Sequence, residues 1–313
     1  MGKKAVLFPG QGAQYVGMGK DLYENSMAAR KVYDLADEVL GFELSSYIFA
    51  GEEDDLQKTE ITQPAILATS IAAYELVKEQ GIIPEAAAGF SLGEYSALVV
   101  AEALSLEESL PLVQKRGRYM QEAVPLGRGG MAAVIGLAKD QVEEACRQTQ
   151  KWGTVEPANY NCPGQIVVSG EREAVHRVME KVKEMGAKRV IELKVSAPFH
   201  CSLLQPVEEK MSRELARISL KPAKIPIVAN YNAALLQKPE EIKEALIKQV
   251  SHPIKWDECT QNLLCRDFDF FLEVGPGKVL TGFVKKISRQ AMVVPAGDLE
   301  AIAHAAQVAD SQE

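Results

Sequence analysis

The stretch AAAGFSLGE, residues 86–94, decides the fold, because it predicts a buried strand that turns sharply into a helix. It contains the pattern G-x-S-x-G, with Ser91 between Gly89 and Gly93. A residue on so tight a turn crowds the backbone two positions away on either side, and glycine at both flanks avoids a clash with a β-carbon. A helix that begins near Leu92 directs free N–H groups at Ser91, where they would stabilise an oxyanion. The pattern is typical of a serine nucleophile in an α/β protein.

The composition of the 313-residue chain is that of an ordinary globular protein, with 47% hydrophobic and 25% charged residues. No apolar run approaches the ~20 residues that cross a bilayer, and the short apolar start does not resemble a secretory signal, so we expect a cytoplasmic location. A net charge of -8 argues against nucleic acid as a partner. Five cysteines without C-x-x-C spacing indicate reduced thiols rather than disulfides or a zinc site.

Two glycine-rich loops do not predict nucleotide binding. The loop PGQGAQ, residues 9–14, follows a predicted first strand at residues 5–8, but Tyr15 stands where a dinucleotide fingerprint requires a third glycine. The loop GPGK, residues 275–278, lacks the Ser or Thr that follows lysine in a phosphate-binding loop. Both loops are therefore interpreted as turns at the ends of strands in an α/β protein with a parallel sheet.

The middle of the chain predicts an inserted module. After the glycine-rich hinge at residues 125–130, the hydrophobic pattern predicts strand, helix, strand, strand, helix and strand between residues 131 and 195. This order is the ferredoxin-like one. The expected organisation is a large subdomain over residues 1–126 and 198–313, with the insertion at 127–197.

A serine nucleophile needs a base, and the chain has four histidines. His176 lies on a charged helix and His304 on a short terminal helix, so both are expected to be incidental. His200 follows a predicted strand and a proline, at a junction where loops carry catalytic groups. His252, which precedes a proline, is the rival candidate. Spacing alone favours His200 and leaves both open.

One arginine of the following helix is a candidate binding residue. Residues 105–108, SLEE, predict a capping box that begins this helix. Arg116 lies roughly 80° from the centre of its apolar stripe, at the border of the buried face, whereas Arg118 points nearer to solvent. A surface salt bridge is the usual role of a helix arginine, but if one arginine faces a cleft, Arg116 is favoured.

Seven stretches in order carry a resemblance that spans nearly the whole chain. They are FPGQGAQ (8–14), TQPA (62–65), GFSLGEY (89–95), RGRYMQ (116–121), NCPGQ (161–165), PFH (198–200) and EVGPGK (273–278). The chain resembles the malonyl-CoA:acyl carrier protein transacylases of fatty acid synthesis and the related acyltransferase domains of polyketide synthases. The resemblance implies an α/β-hydrolase-like large subdomain with a ferredoxin-like insertion, in agreement with the predicted order of elements.

The resemblance also implies a ping-pong mechanism without metal or cofactor. Ser91 attacks the thioester of malonyl-CoA while His200 takes its proton, and the phosphopantetheine thiol of acyl carrier protein then removes the malonyl group. The backbone N–H groups of Leu92 and Gln11 form the oxyanion hole. The backbone carbonyl of Gln249 orients the imidazole, so that no third acidic residue is needed.

Three residues are expected to set selectivity. The resemblance implies that Arg116 binds the malonyl carboxylate through bidentate, charge-assisted hydrogen bonds. Phe90 stands where the family usually has histidine, so any contribution of that imidazole is absent. Phe199 resembles the malonyl-selective members and argues against a methylmalonyl substrate.

Three alternatives share parts of this pattern. A discrete acyltransferase of a polyketide synthase and a serine acyl hydrolase would both keep Ser91 and His200, whereas a noncatalytic module that only docks carrier protein would not require them. Because carrier proteins are acidic, we expect basic residues near the cleft. The candidates are Lys188, Arg189, Lys194, Lys285 and Lys286.

Overall fold

Two β-sheets organise residues 2–311, which are the residues that the computed structural model describes. The outermost ends of the predicted large subdomain, residues 1, 312 and 313, lie outside this range. In chain order the strands are β1 (Lys3–Phe8), β2 (Ala86–Gly89), β3 (Gly129–Ile135), β4 (Val155–Cys162), β5 (Gln165–Glu171), β6 (Arg189–Glu192), β7 (Ile227–Val228), β8 (Leu235–Leu236), β9 (Phe268–Val274) and β10 (Met292–Ala296).

The α-helices surround both sheets. In chain order they are α1 (Lys20–Asn25), α2 (Met27–Leu40), α3 (Leu44–Ala50), α4 (Glu53–Leu56), α5 (Thr59–Glu79), α6 (Gly93–Val100), α7 (Leu106–Glu122), α8 (Lys139–Thr149), α9 (Arg172–Glu184), α10 (Gln205–Ala216), α11 (Pro239–Gln249), α12 (Trp256–Leu264), α13 (Val279–Ile287) and α14 (Leu299–Asp310). No helix within residues 2–311 is long and apolar enough to cross a membrane.

The larger sheet has the strand order β10-β9-β1-β2-β7-β8. Its strands pair in parallel except at the edge, where β8 is antiparallel to β7. The predicted α/β class with a parallel sheet is therefore confirmed. β1 and β2 are neighbours, paired from Ala5 with Ala86 to Phe8 with Gly89. The loops that follow these two strands consequently meet at one edge of the sheet, where parallel α/β proteins place their sites.

The smaller sheet has the order β4-β5-β3-β6, and all of its pairs are antiparallel. Together with α8 and α9 it forms the predicted succession of strand, helix, strand, strand, helix and strand. The two helices and the sheet share a separate apolar core that includes Val142, Val168 and Val178. The boundaries at residues 127 and 197 stay a prediction.

One predicted strand is much shorter than expected. The sequence predicts a strand over residues 225–230, whereas β7 contains only Ile227 and Val228. The backbone N–H of Asn230 donates to the carboxyl of Glu94 at 3.0 Å instead of to a neighbouring strand. The chain leaves the sheet at this point because the backbone N–H of Asn230 binds Glu94 and its side chain binds the backbone around Ser91.

Helix α7 begins with the predicted cap. The Ser105 hydroxyl accepts a hydrogen bond from the N–H of Glu108 at 3.2 Å. The reciprocal contact differs from a capping box, since the Glu108 carboxylate accepts from the Ser105 hydroxyl at 3.0 Å. The cap fixes the start of the helix that carries Arg116.

Replacing Ser105 by Ala should lower the free energy of unfolding by about 1 kcal/mol, because the first turn of α7 loses its side-chain acceptor. Urea unfolding followed by circular dichroism measures this change. Ser105→Thr keeps a hydroxyl and should stay within about 0.5 kcal/mol of the original protein. Equal losses in the two variants would show that the hydroxyl is not the stabilising group.

Candidate active site

Ser91 occupies a strained turn between β2 and α6. Its φ angle is 53°, in the left-handed region that side chains rarely adopt. A β-carbon at Gly89 would lie 1.9 Å from the backbone of Gly93, and one at Gly93 would lie 2.1 Å from the carbonyl oxygen of Phe8. The two glycines therefore allow the sharp turn and its close packing against β1, as the sequence pattern predicts.

Ser91 and His200 meet, although they are far apart in the chain. The Oγ atom of Ser91 lies 2.7 Å from Nε2 of His200, and Nδ1 of His200 lies 2.9 Å from the backbone carbonyl oxygen of Gln249. Because a carbonyl only accepts, Nδ1 carries the proton. Nε2 is then the acceptor and can take the proton of the Ser91 hydroxyl. The geometry is that of a nucleophile, its base and an orienting group.

The other three histidines lie elsewhere. The rival, His252, donates from Nδ1 to the carbonyl of Lys248 at 2.9 Å and packs edge-on against Tyr231. His176 is half-buried and pairs with Glu192 at 3.3 Å, and His304 is exposed on α14. The structure thus places one histidine, His200, against Ser91.

The environment of His200 favours its neutral form. Burial lowers the pKa of the imidazole to about 3, and the positive charge of Arg116 acts in the same direction. The hydrogen bond to Gln249 opposes this shift. A neutral imidazole is the form that accepts a proton, so His200 is ready to act as a base at neutral pH.

Arg116 lies inside the site rather than at its border. Its side chain is 1% exposed, although the helical pattern alone placed it at the edge of the buried face. Nη2 donates to Ser91 Oγ at 3.1 Å and to Gln249 Oε1 at 2.8 Å, while Nη1 donates to Gln63 Oε1 at 2.8 Å. The nearby Arg118 is 51% exposed and pairs with Glu122.

The hydrogen bonds of Arg116 have an unusual set of acceptors. Within residues 2–311 they go to one hydroxyl and two amide oxygens, and none goes to a carboxylate. The guanidinium also lies 5.5 Å from the ring centroid of Tyr95, a cation–π contact. Burial lowers the pKa of Arg116, but a guanidinium keeps its proton in proteins. A buried, charged fork bonded to neutral groups is suited to binding an anion.

The two backbone donors predicted for an oxyanion hole are the N–H groups of Gln11, in the loop after β1, and of Leu92, in the turn after β2. The N–H of Phe90 donates to the carbonyl of Phe8 at 2.9 Å, which extends the pairing of β1 and β2 toward Ser91. Among the described residues, no hydrogen-bond acceptor is bound by the N–H of Leu92 or by that of Gln11. The oxyanion hole formed by these two N–H groups stays a prediction.

Sequence reasoning missed two buried residues. Asn230 accepts from the N–H of Ser91 at 2.6 Å and donates to the carbonyl of Gly89 at 2.7 Å. Glu94 is completely buried, and desolvation raises its pKa to about 7. The position of Glu94 on the first turn of α6 was a weak signal, since acidic residues are generally favoured at the start of a helix. Nothing local marked Asn230.

The two predicted selectivity residues lie in different surroundings. The ring of Phe90 packs against Trp256 and Phe283, with centroids 5.6 and 6.2 Å away. Phe199 is buried in the main apolar core, which also includes Met131 and Val167 of the smaller sheet. Phe90 thus belongs to an aromatic cluster at the side of the turn.

The candidate basic residues are all exposed but do not form one patch. Lys286 donates to Gln165 at 3.1 Å, at the end of the smaller sheet where Ile135 pairs with both Gln165 and Arg189. Lys188 and Arg189 therefore lie near Lys286. Lys194 follows β6 at the opposite end of that strand.

The fold and the site together define a class. A serine on a strand-to-helix turn of a parallel sheet, hydrogen-bonded to a histidine, is the arrangement of α/β enzymes that transfer or hydrolyse acyl groups through serine. The particular family follows from comparison with known proteins. The family model described as acyl transferase domain matches residues 6–309. The chain belongs to this family.

Individual relatives are similar over almost their full length. The malonyl CoA-acyl carrier protein transacylase of Bacillus subtilis (strain 168) is 46% identical over 98% of this chain and 97% of the relative. The crystal structure of the Streptococcus pneumoniae transacylase, 46% identical, superimposes with a TM-score of 0.93 and covers 98% of this chain and 100% of its own. The resemblance noted from the sequence is confirmed.

A second similar structure includes a partner. A malonyl-transacylase in complex with the acyl-carrier protein of a type II polyketide synthase has a TM-score of 0.96 and 38% identity. The match covers 98% of this chain and 99% of that one. The family thus contains a member seen bound to its carrier protein.

The lowered pKa of His200 leads to a pH prediction. Between pH 7 and pH 5 its ring should stay neutral, because its pKa of about 3 lies below the ordinary 6.5. In the unfolded chain the ring would protonate in this interval, so its contribution to stability is complete above pH 6.5 and falls as the pH drops toward 3. Long-range ¹H–¹⁵N spectra of the imidazole report the charge directly.

The spectrum of His200→Gln assigns the signal and serves as the control. Imidazolium shifts of this signal by pH 6 would contradict the neutral, buried base.

Proposed function

We propose that the protein transfers a malonyl group from malonyl-CoA to the phosphopantetheine thiol of acyl carrier protein in fatty acid synthesis. The observation that carries this proposal is that the Ser91 hydroxyl contacts both a neutral imidazole and a buried guanidinium. The first contact supplies a base for covalent catalysis. The second places a carboxylate-binding group beside the atom that will hold the acyl chain.

The first half-reaction forms the acyl-enzyme. Ser91 Oγ attacks the thioester carbon while Nε2 of His200 takes the hydroxyl proton. The N–H groups of Leu92 and Gln11 donate to the oxyanion of the tetrahedral intermediate, a stabilisation whose loss typically costs ~10²-fold or more in rate. The carbon–sulfur bond then breaks, and the imidazolium returns its proton to the coenzyme A thiolate as it leaves.

The second half-reaction reverses these steps with a different thiol. His200 takes the proton of the phosphopantetheine thiol, and the thiolate attacks the malonyl ester on Ser91. Collapse of the intermediate breaks the ester bond, and Ser91 recovers the proton from His200. Throughout the cycle Gln249 accepts from Nδ1, which keeps the ring in place and stabilises the imidazolium in each half-reaction.

Arg116 selects the acyl group. A malonyl group on Ser91 carries its carboxylate a few bonds from Oγ, and Nη2 of Arg116 is 3.1 Å from that atom. Within residues 2–311 the hydrogen bonds of the guanidinium go to neutral acceptors, so no internal ion pair has to be broken when the malonyl carboxylate binds. An acetyl group offers no such charge-assisted bonds. We propose that Phe199 limits the room for a branched acyl chain and that Phe90 supports the turn through its aromatic cluster.

Two alternative activities would rely on the same catalytic pair. A serine acyl hydrolase or a discrete polyketide acyltransferase would also use Ser91 and His200, but no contact in the site favours either one.

We propose that acidic carrier protein docks near the basic residues Lys188, Arg189 and Lys286. We also propose that the protein acts in the cytoplasm, where free thiols such as its cysteines persist.

Incubation with malonyl-CoA should give a stable adduct of one malonyl group on Ser91, detected by mass spectrometry of the intact protein and of its peptides. Holo acyl carrier protein should then remove the adduct. Ser91→Ala should give no adduct, and His200→Ala should slow its formation by ~10²–10⁴-fold, because the base is lost. Release as free malonate without transfer to the carrier would instead identify a hydrolase.

Arg116→Ala should lower the ratio of kcat/KM for malonyl-CoA to that for acetyl-CoA by about 100-fold, because two charge-assisted hydrogen bonds are lost. Arg118→Ala removes an exposed arginine from the same helix and should leave the ratio unchanged. An unaltered ratio in the Arg116 variant would refute its proposed role.

A further inference from the structure

The contacts of one buried acid in the site, Glu94, reach the guanidinium of Arg116. We infer that Glu94 is a positioning residue that fixes the side-chain amide of Gln249 and, through it, the guanidinium of Arg116. The inference rests on the proposed function, in which Arg116 selects the malonyl carboxylate.

Glu94 lies where a carboxyl group is costly. It is completely buried on the first turn of α6, three residues after Ser91. Removing a carboxylate from water is unfavourable unless hydrogen bonds and charges compensate. The N-terminal end of a helix and the positive charge of Arg116 both favour the ionised form. A shorter or apolar residue would fill this position at lower cost if only packing were required.

The contacts of Glu94 form a short chain to Arg116. Glu94 Oε2 accepts from Gln249 Nε2 at 2.7 Å, and Gln249 Oε1 accepts from Arg116 Nη2 at 2.8 Å. Gln249 Nε2 also donates to the carbonyl of Ser91 at 2.9 Å. The amide therefore has acceptors on its nitrogen side and a donor on its oxygen side, and this pattern defines one orientation of the group.

The orientation of the Gln249 amide decides whether it can accept a hydrogen bond from the charged guanidinium of Arg116. If the amide of Gln249 turned over, its NH₂ group would face the guanidinium, and donor would meet donor. Arg116 would lose one of its three hydrogen bonds and move away from Gln249. Glu94 opposes this rotation, because its Oε2 accepts from Gln249 Nε2 and would face the amide oxygen, a second acceptor, if the group turned over.

A second contact anchors Glu94 itself. Oε2 also accepts from the backbone N–H of Asn230 at 3.0 Å, and the side chain of Asn230 holds the N–H of Ser91. Asn230 thus holds the carboxyl group of Glu94 next to the Ser91 turn. The carboxyl group in turn fixes the amide of Gln249, which binds Arg116. Its other oxygen, Oε1, is buried and has no partner among the described residues.

Three variants test the inference, with the malonyl-to-acetyl ratio of kcat/KM as the readout. Glu94→Met keeps the volume and removes the acceptor, so the ratio should fall by about tenfold, the loss expected for one hydrogen bond to a charged group. Glu94→Gln keeps a carbonyl that accepts from Asn230 and Gln249, so the ratio should stay within about threefold. Ser96→Ala removes another buried polar group of α6, one without a hydrogen-bond partner, and should leave the ratio unchanged.

A fourth variant keeps the test decisive if Glu94→Met does not fold. Glu94→Asp keeps the charge but is one methylene shorter, so it cannot reach Gln249 in the same way, and the ratio should again fall by several fold. A folded Met variant, or an Asp variant in its absence, that retains the original ratio would overturn the inference. So would a Gln variant as impaired as the Met variant, since charge rather than positioning would then be the cause.

The adduct assay separates this inference from the proposed function. If the original protein forms no malonyl ester on Ser91, the proposed function fails. If the ester forms and transfers normally but the Glu94 variants keep the malonyl preference, only the role of Glu94 fails.

Discussion

The strained turn at Ser91 is the constraint on which the site depends. A left-handed serine between two close-packed glycines is stable only if the surrounding structure holds it. The parallel pairing of β1 with β2 supports it from one side, and the side chain of Asn230 holds its N–H from the other. The same turn points the hydroxyl at His200 and begins helix α6. The fold therefore fixes the direction of the nucleophile before any substrate is present.

Around this turn the protein buries more polar and charged groups than a core normally contains. Arg116, Glu94 and His200 are each buried, and each is compensated differently. His200 stays neutral, Arg116 is bonded to neutral oxygens and an aromatic ring, and Glu94 receives two N–H donors. Such groups are costly to stability, and active sites are where this cost is commonly found. Arg116 Nε remains without an internal partner.

The smaller sheet is hydrogen-bonded, close to the site, to the segment between α11 and α12. The N–H of Tyr160 donates to the carbonyl of Ile254 at 2.9 Å, and the N–H of Ile254 donates to the carbonyl of Ala158 at 2.8 Å. Ile254 follows Gln249 by one short loop, so β4 is attached to the segment that orients His200. The ion pair between Lys139 and Glu258 adds an exposed contact between the same parts. The position of the smaller sheet therefore affects where the carbonyl of Gln249 lies, and with it the ring of His200.

The sequence by itself determined the features whose causes are local. Glycines on either side of Ser91 predict its turn, periodic apolar residues predict the order of elements in the smaller sheet, and Ser105 predicts the start of α7. Only the tertiary structure decided which histidine meets Ser91, that Arg116 is fully buried, and that Glu94 binds Gln249. These contacts join residues 109 and 155 positions apart, and nothing in a local pattern specifies them. They exist because the strand order brings distant loops to one sheet edge, where burial makes each unpaired polar group costly enough to select a partner.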